Sequence, residues 1–106
     1  MKTLMIRYKT KQDQVAPNEA LVHAVYEELR ALAPKGLRYG TFRLDDGVTF
    51  VHIAIMENAA AGDTLTALAS FKAFQKDLRA RCVEGPEPAP LHPVDSYGFF
   101  PQAKTP

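Results

Sequence analysis

Hydrophobic positions recur at two different periods along this chain. Residues 2–9 alternate in part, with Leu4, Ile6 and Tyr8 on one side and Met5 and Arg7 on the other. A period of two predicts a strand. A polar run, Lys11 to Ala16, follows. Leu21, Val22, Val25, Leu29 and Leu32 then fall at helical spacing, with Glu27, Glu28 and Arg30 mostly off that stripe. Pro17 suits a first helical position, and Asp13 is a competing N-cap. Pro34 and Gly36 end the helix.

Tyr39 to Met56 reads as a β-hairpin, because Asp46-Gly47 separates two strand-like runs. A two-residue turn pairs Asp45 with Val48, Arg43 with Phe50, Thr41 with His52 and Tyr39 with Ala54. Tyr39, Thr41, Arg43, Phe50, His52 and Met56 then share one face. Phe42, Leu44, Val51, Ile53 and Ile55 share the other. A three-residue loop would move Arg43 among the branched apolar side chains and bury an unpaired cation. The two-residue register is therefore expected.

Asn58 to Thr64 reads as a loop, with Asp63 or Thr64 as the cap of a second helix. Leu68, Phe71, Phe74, Leu78 and Cys82 form its apolar stripe. Gly85-Pro86-Glu87-Pro88-Ala89-Pro90 reads as an extended connector. Val94 to Phe100 reads as the last strand, with Tyr97 and Phe99 on one face. Pro101 ends it, and 101–106 is a tail. The order β-α-β-β-α-β predicts one ferredoxin-like α+β domain over residues 1–100, an antiparallel four-stranded sheet with two helices on one face. The helices are expected on the Phe42, Val51, Ile53 face. The Phe50, Met56 and Phe100 face then lacks a cover, which predicts a homodimer through the sheet faces.

Composition narrows the function classes. The 106 residues suffice for one domain with a real core. A net charge of +1 gives no electrostatic case for nucleic acid or a membrane surface. One cysteine, Cys82, excludes an internal disulfide and suits a reducing compartment. No apolar run is long enough for a signal peptide or a membrane span. A cytoplasmic protein is expected.

The β-α-β-β-α-β order, the Tyr-Gly-Thr-Phe-Arg-Leu-Asp-Asp-Gly hairpin (39–47) and Leu-Ala-Ser-Phe-Lys-Ala-Phe-Gln (68–75) carry a resemblance. Over residues 2–100 the chain resembles the dimeric α/β-barrel superfamily, and within it the antibiotic biosynthesis monooxygenase branch. The resemblance implies two sheets packed face to face in a dimer, with a pocket between sheet and helices in each subunit. It implies oxygenation of phenolic or quinol substrates without metal or flavin. Haem-degrading members use a first-strand Asn, a Trp and a second-helix His. This chain has no Trp, no Asn in its first strand and no His in its second helix, so haem degradation is rejected.

Several residues are candidates for chemistry. His52 is a candidate general base toward a phenol, or else a hydrogen-bonded interface histidine. Arg43 is a candidate partner for a carboxylate or enolate oxygen, or a salt bridge near the turn. Tyr39 would orient a substrate, or simply pack. Thr41, Phe50, Met56 and Phe71 are candidate substrate contacts. Tyr8 and Tyr97 carry the same ambiguity as Tyr39. His23 reads as solvated and His92 as incidental. The three histidines have no metal-ligand spacing. Cys82 reads as a small buried hydrophobe. The expectation is a cofactor-independent oxygenase or related enzyme on a small aromatic, quinol-like substrate. The alternative is a non-catalytic dimer that binds a small apolar ligand or serves under stress.

Overall fold

The structure, a computed structural model, describes residues 1–99. Strand β1 (Lys2–Thr10) is followed by a short 3-10 turn, Gln12–Gln14, and helix α1 (Val15–Leu32). Strands β2 (Leu37–Arg43) and β3 (Thr49–Met56) form the hairpin. Helices α2 (Ala59–Ala67), α3 (Ala69–Gln75) and α4 (Leu78–Arg81) lead into strand β4 (Cys82–Leu91). The sheet order is β2-β3-β1-β4, all antiparallel. This is the ferredoxin-like arrangement, with the helices on one face.

The hairpin register is the expected one: Tyr39 pairs with Ala54, Thr41 with His52 and Arg43 with Phe50. The turn is built differently. Leu44 N–H bonds Thr49 O at 2.9 Å, so residues 45–48 form the loop. Asp46 Oδ1 accepts from Val48 N at 3.0 Å and Thr49 N at 2.8 Å. Gly47 takes φ +78, which glycine adopts without strain. The loop gains one residue from each strand, so the pairing does not shift.

The expected assignment of faces is reversed. The helices cover the Tyr39, Phe50, His52, Ala54 face, and Phe42 is 57% exposed on the other. The reason lies in β1. Leu4, Ile6 and Tyr8 pair with Ala54, His52 and Phe50, so the middle of the sheet adds an apolar row to that face. Met5 and Arg7 stand behind Ile53 and Val51. A hairpin considered alone misses this, because its Phe42, Leu44, Val51, Ile53 and Ile55 face is the more apolar of its two. The core contains Tyr8, Val22, Val25, Phe50, Ala54, Leu65, Leu68, Phe71, Phe74 and Leu78.

The last strand is also relocated. The proline-rich run is β4 itself, and 94–99 form no strand. Proline costs a strand its ladder donor, but β4 is an edge. Pro88 and Pro90 stand two residues apart opposite Ile6 and Leu4, so their missing donors lie on one side. Gly85 has φ +78, and a Cβ there would lie 2.8 Å from Arg7 O, which requires glycine. Val94 and Tyr97 are fully exposed rather than strand residues. Phe100 and the tail 101–106 lie outside the described residues.

The second helix starts earlier than expected and is interrupted. Asn58, not Asp63 or Thr64, is the cap, its Oδ1 accepting from Ala61 N at 2.9 Å. Ala59, Ala60 and Ala61 are strong helix formers and extend the helix backward. Leu68 turns extended, and Asp77 adopts φ 61, dividing the segment into α2, α3 and α4. The stripe Leu68, Phe71, Phe74 and Leu78 is nevertheless buried. Cys82 opens β4 instead of closing a helix. Helix α1 begins before Pro17, which occupies its first turn, where an N–H has no helical partner anyway. That start carries Asn18 to complete burial.

Candidate functional site

The reversed faces bring His52 into the interior. It is 3% exposed, between the β-sheet and the helices. Strand pairing sets Thr41 directly opposite it on β2 and Ile6 opposite it on β1. Tyr39 and Tyr8 each lie two residues along from these partners, on the same face, and reach back to the imidazole. His52 Nε2 and Tyr8 Oη are 2.7 Å apart. His52 Nδ1 is 2.7 Å from Tyr39 Oη and 3.2 Å from Thr41 Oγ1. Tyr26 Oη, from α1, lies 2.7 Å from Thr41 Oγ1.

The cluster extends behind Tyr8. Asn18 Nδ2 donates to Tyr8 Oη at 2.8 Å, and Arg81 Nε donates to Asn18 Oδ1 at 3.1 Å. Arg81 also donates to Lys76 O at 3.0 Å and Phe74 O at 2.6 Å, the carbonyl end of α3. Its guanidinium lies 5.5 Å from the Phe74 ring centre. These contacts compensate a cation that is only 7% exposed. Polar groups buried this deeply are tolerated because each finds a partner.

Beside the cluster is a cavity of about 190 Å³. Ile6, Ala54 and Met56 of the sheet and Leu65, Phe71, Phe74 and Leu78 of the helices form its apolar walls. Tyr39 and His52 supply polar groups to it. Thr66 and Gln75 line it and are exposed, which marks its mouth. A void of roughly 150 Å³ accepts benzene, so this cavity suits one ring.

Burial controls the protonation of the cluster. It pushes His52 down to about 4, so the imidazole is neutral at pH 7. It raises the phenols of Tyr8 and Tyr39 well above the ordinary tyrosine range, and that of Tyr26 as well. Asn18 and Thr41 hydrogen bonds only partly offset the rise at Tyr8 and Tyr39. All are neutral hydrogen-bonding groups near neutral pH.

The structure gathers His52, Tyr39 and Thr41 by hydrogen bonds, and His52, Tyr39, Met56 and Phe71 line the cavity, whereas Thr41 lines an outer groove. Phe50 stacks on Tyr8 at 5.4 Å and faces an outer groove instead. Arg43 is not brought to this cluster. It pairs with Glu19, is half exposed, and lines the same outer groove as Phe50. His23 and His92 are exposed. Asn18, Arg81 and Tyr26 were not anticipated as site residues. A signal existed: Asn18 stands at helical spacing from Val22 and Val25, and Arg81 from Leu78 and Phe74. A polar residue on a core stripe marks a buried polar contact. Among the described residues no group of histidine, cysteine and carboxylate side chains could hold a metal ion. No helix among them is long and apolar enough to cross a membrane.

No family model matches the chain, and no curated protein matches it. Solved structures do. A crystal structure of an antibiotic biosynthesis monooxygenase superposes with TM-score 0.75 at 20% identity, covering 90% of this chain and 100% of that one. An antibiotic biosynthesis monooxygenase-like protein from Nitrosomonas europaea gives TM-score 0.75 at 13% identity, over 90% and 100%. A variant of SnoaB, a cofactor-independent oxygenase from Streptomyces nogalater, gives 0.69 at 18% identity, over 92% and 96%. Superposing over nearly the whole of both chains, the protein has the fold of these antibiotic biosynthesis monooxygenase structures.

Proposed function

We propose that the protein is a cytoplasmic, homodimeric oxygenase that acts on a small hydroquinone without metal or flavin. The observation that carries this reading is the hydroxyl and imidazole pair, Tyr39 with His52, on the wall of an otherwise apolar cavity, with Thr41 hydrogen-bonded behind them. SnoaB, which shares the fold, is a cofactor-independent oxygenase. The cavity volume favours a single ring.

In this reading Phe71 and Phe74 hold the ring, and the Tyr39 hydroxyl holds one ring oxygen as it becomes anionic. The proton passes to solvent water at the mouth, beside the exposed Thr66 and Gln75, as the ring enters. The apolar walls exclude water, which strengthens the hydrogen bond to the anion. The electrons come from the substrate. Hydroquinone and O2 give hydroxybenzoquinone and water: one oxygen atom enters a C–H position, and the other leaves as water. His52 is assigned to positioning Tyr39 rather than to proton abstraction. Both its nitrogens already face hydroxyls, and burial disfavours its cation. Arg43, paired with Glu19 elsewhere, has no role in this scheme.

Oxygen uptake against one-ring and three-ring hydroquinones tests the reading. Turnover restricted to the one-ring compounds is expected. Binding without oxygen uptake would instead favour a non-catalytic ligand-binding dimer.

The proposed dimer uses the open sheet face, where Phe42, Val51, Ile53 and Met5 lie, and not Phe50 or Met56, which are inside. Phe42→Glu is expected to convert a sedimenting dimer to monomer. A parent protein that sediments as a monomer would contradict the pairing.

A further inference from the structure

The buried polar cluster can be assigned a direction, atom by atom. Arginine has donors and no acceptor. The Asn18 atom facing Arg81 Nε must therefore be the carbonyl Oδ1, which leaves the amide Nδ2 facing Tyr8. Tyr8 Oη accepts from that amide, so its own single proton remains to be placed. Tyr8 is 1% exposed, and the other polar atom against its hydroxyl among the described residues is His52 Nε2. If Nε2 carried the proton, Tyr8 would receive two donors and its O–H would be buried without an acceptor, which costs roughly 1–3 kcal/mol. The Tyr8 proton therefore goes to Nε2. A neutral imidazole keeps one proton, and it must then be on Nδ1. That N–H points at Tyr39 Oη, with Thr41 Oγ1 the more distant acceptor.

We infer that Arg81 and Asn18 lock His52 as the Nδ1–H tautomer, so that the cavity's polar wall is a hydrogen-bond donor selecting an acceptor oxygen, a carbonyl or phenolate. The chain runs Arg81 to Asn18 to Tyr8 to His52 to Tyr39. Its donor end is the Tyr39 O–H, for which Thr41 and a ligand oxygen compete. Arg81 and Asn18 do not line the cavity and act as positioning residues. The direction of the chain stands on the hydrogen bonds alone, whereas the ligand consequence rests on the cavity reading proposed above.

A one-atom change reverses the chain. In Asn18→Asp both carboxylate oxygens are acceptors, one for Arg81 and one for the Tyr8 O–H. Tyr8 can then only accept from His52, which must carry its proton on Nε2. Tyr39 in turn donates to the bare Nδ1, and its proton is withdrawn from the cavity. The new charge faces Arg81, so the substitution is compensated.

Long-range proton–nitrogen NMR of histidine-labelled protein reads the tautomer directly. The parent is expected to show His52 as Nδ1–H, and Asn18→Asp to show it as Nε2–H. A parent His52 protonated on Nε2 would overturn the inference, and this holds even if the variant does not fold. An Asn18→Asp protein that keeps Nδ1–H would overturn the control assigned to Asn18. The ligand arm uses 4-nitrophenolate, whose affinity is expected to fall about tenfold or more in Asn18→Asp. Equal affinity with a reversed tautomer would overturn the selection of acceptor oxygens while leaving the chain intact. Absence of binding to either protein would remove the cavity reading and not the tautomer.

Discussion

Arg81→Met is expected to lower the unfolding free energy by about 3–5 kcal/mol. The guanidinium makes three hydrogen bonds, to Asn18 Oδ1, Lys76 O and Phe74 O. Methionine would leave those acceptors buried beside an apolar chain. Each unsatisfied buried group costs roughly 1–3 kcal/mol, although the ends can relax toward water. The carbonyl end of α3 would lose its cation as well. Arg43→Met makes the control. Its pair with Glu19 is exposed, and such pairs contribute at most about 1 kcal/mol. Urea unfolding followed by circular dichroism compares them. Similar small losses for both variants would show that the buried arginine is not what fastens α3 and α4 to α1.

Acid is expected to destabilise the protein through His52 before the carboxylates titrate. The folded value is about 4, against roughly 6.5 for an unfolded histidine. The unfolded chain therefore takes a proton as the pH falls below about 6.5, while the folded chain refuses it until about 4. The contribution is complete above 6.5 and is lost on the way down, amounting to about 3 kcal/mol. Glu28 and Asp46 are held below the usual carboxylate range by hydrogen bonds from Ser70 and Thr49, so their contributions vanish only at lower pH. Urea midpoints between pH 7.5 and 4.5 should fall in the parent and stay nearly level in His52→Gln. Parallel falls would assign the effect to other groups.

Much of this architecture was legible in the chain. The hairpin register was legible from the Asp46-Gly47 turn, and Arg43 does pair with Phe50, but the burial cost used to choose it does not apply, because the helices cover the opposite face to Val51 and Ile53. The α3 stripe was legible because Phe71 and Phe74 recur at helical spacing. Two features were not. Pro86, Pro88 and Pro90 look like a connector, because sequence does not reveal that a strand will lie at an edge, where its missing donors are harmless. The covered face could not be chosen from the hairpin, because β1 decides it through Leu4, Ile6 and Tyr8.

The site was legible only in outline. His52, Tyr39 and Thr41 stood out as polar residues on one strand face, and the structure brings them within hydrogen-bonding distance. Arg43 shares that face by parity but lies near the turn, where Glu19 meets it. Asn18 and Arg81 come from elements 63 positions apart, a proximity that only tertiary packing creates.

The central claim is that the Tyr39 hydroxyl, at the wall of a one-ring cavity, stabilises the reacting oxygen. Its most direct test is the rate of oxygen uptake with an accepted one-ring hydroquinone, in the parent and in Tyr39→Phe. Loss of one such donor typically costs roughly 10²-fold in rate, so a kcat lowered about that much is predicted, with the fold unchanged. A Tyr39→Phe enzyme that consumes oxygen as fast as the parent would contradict the account.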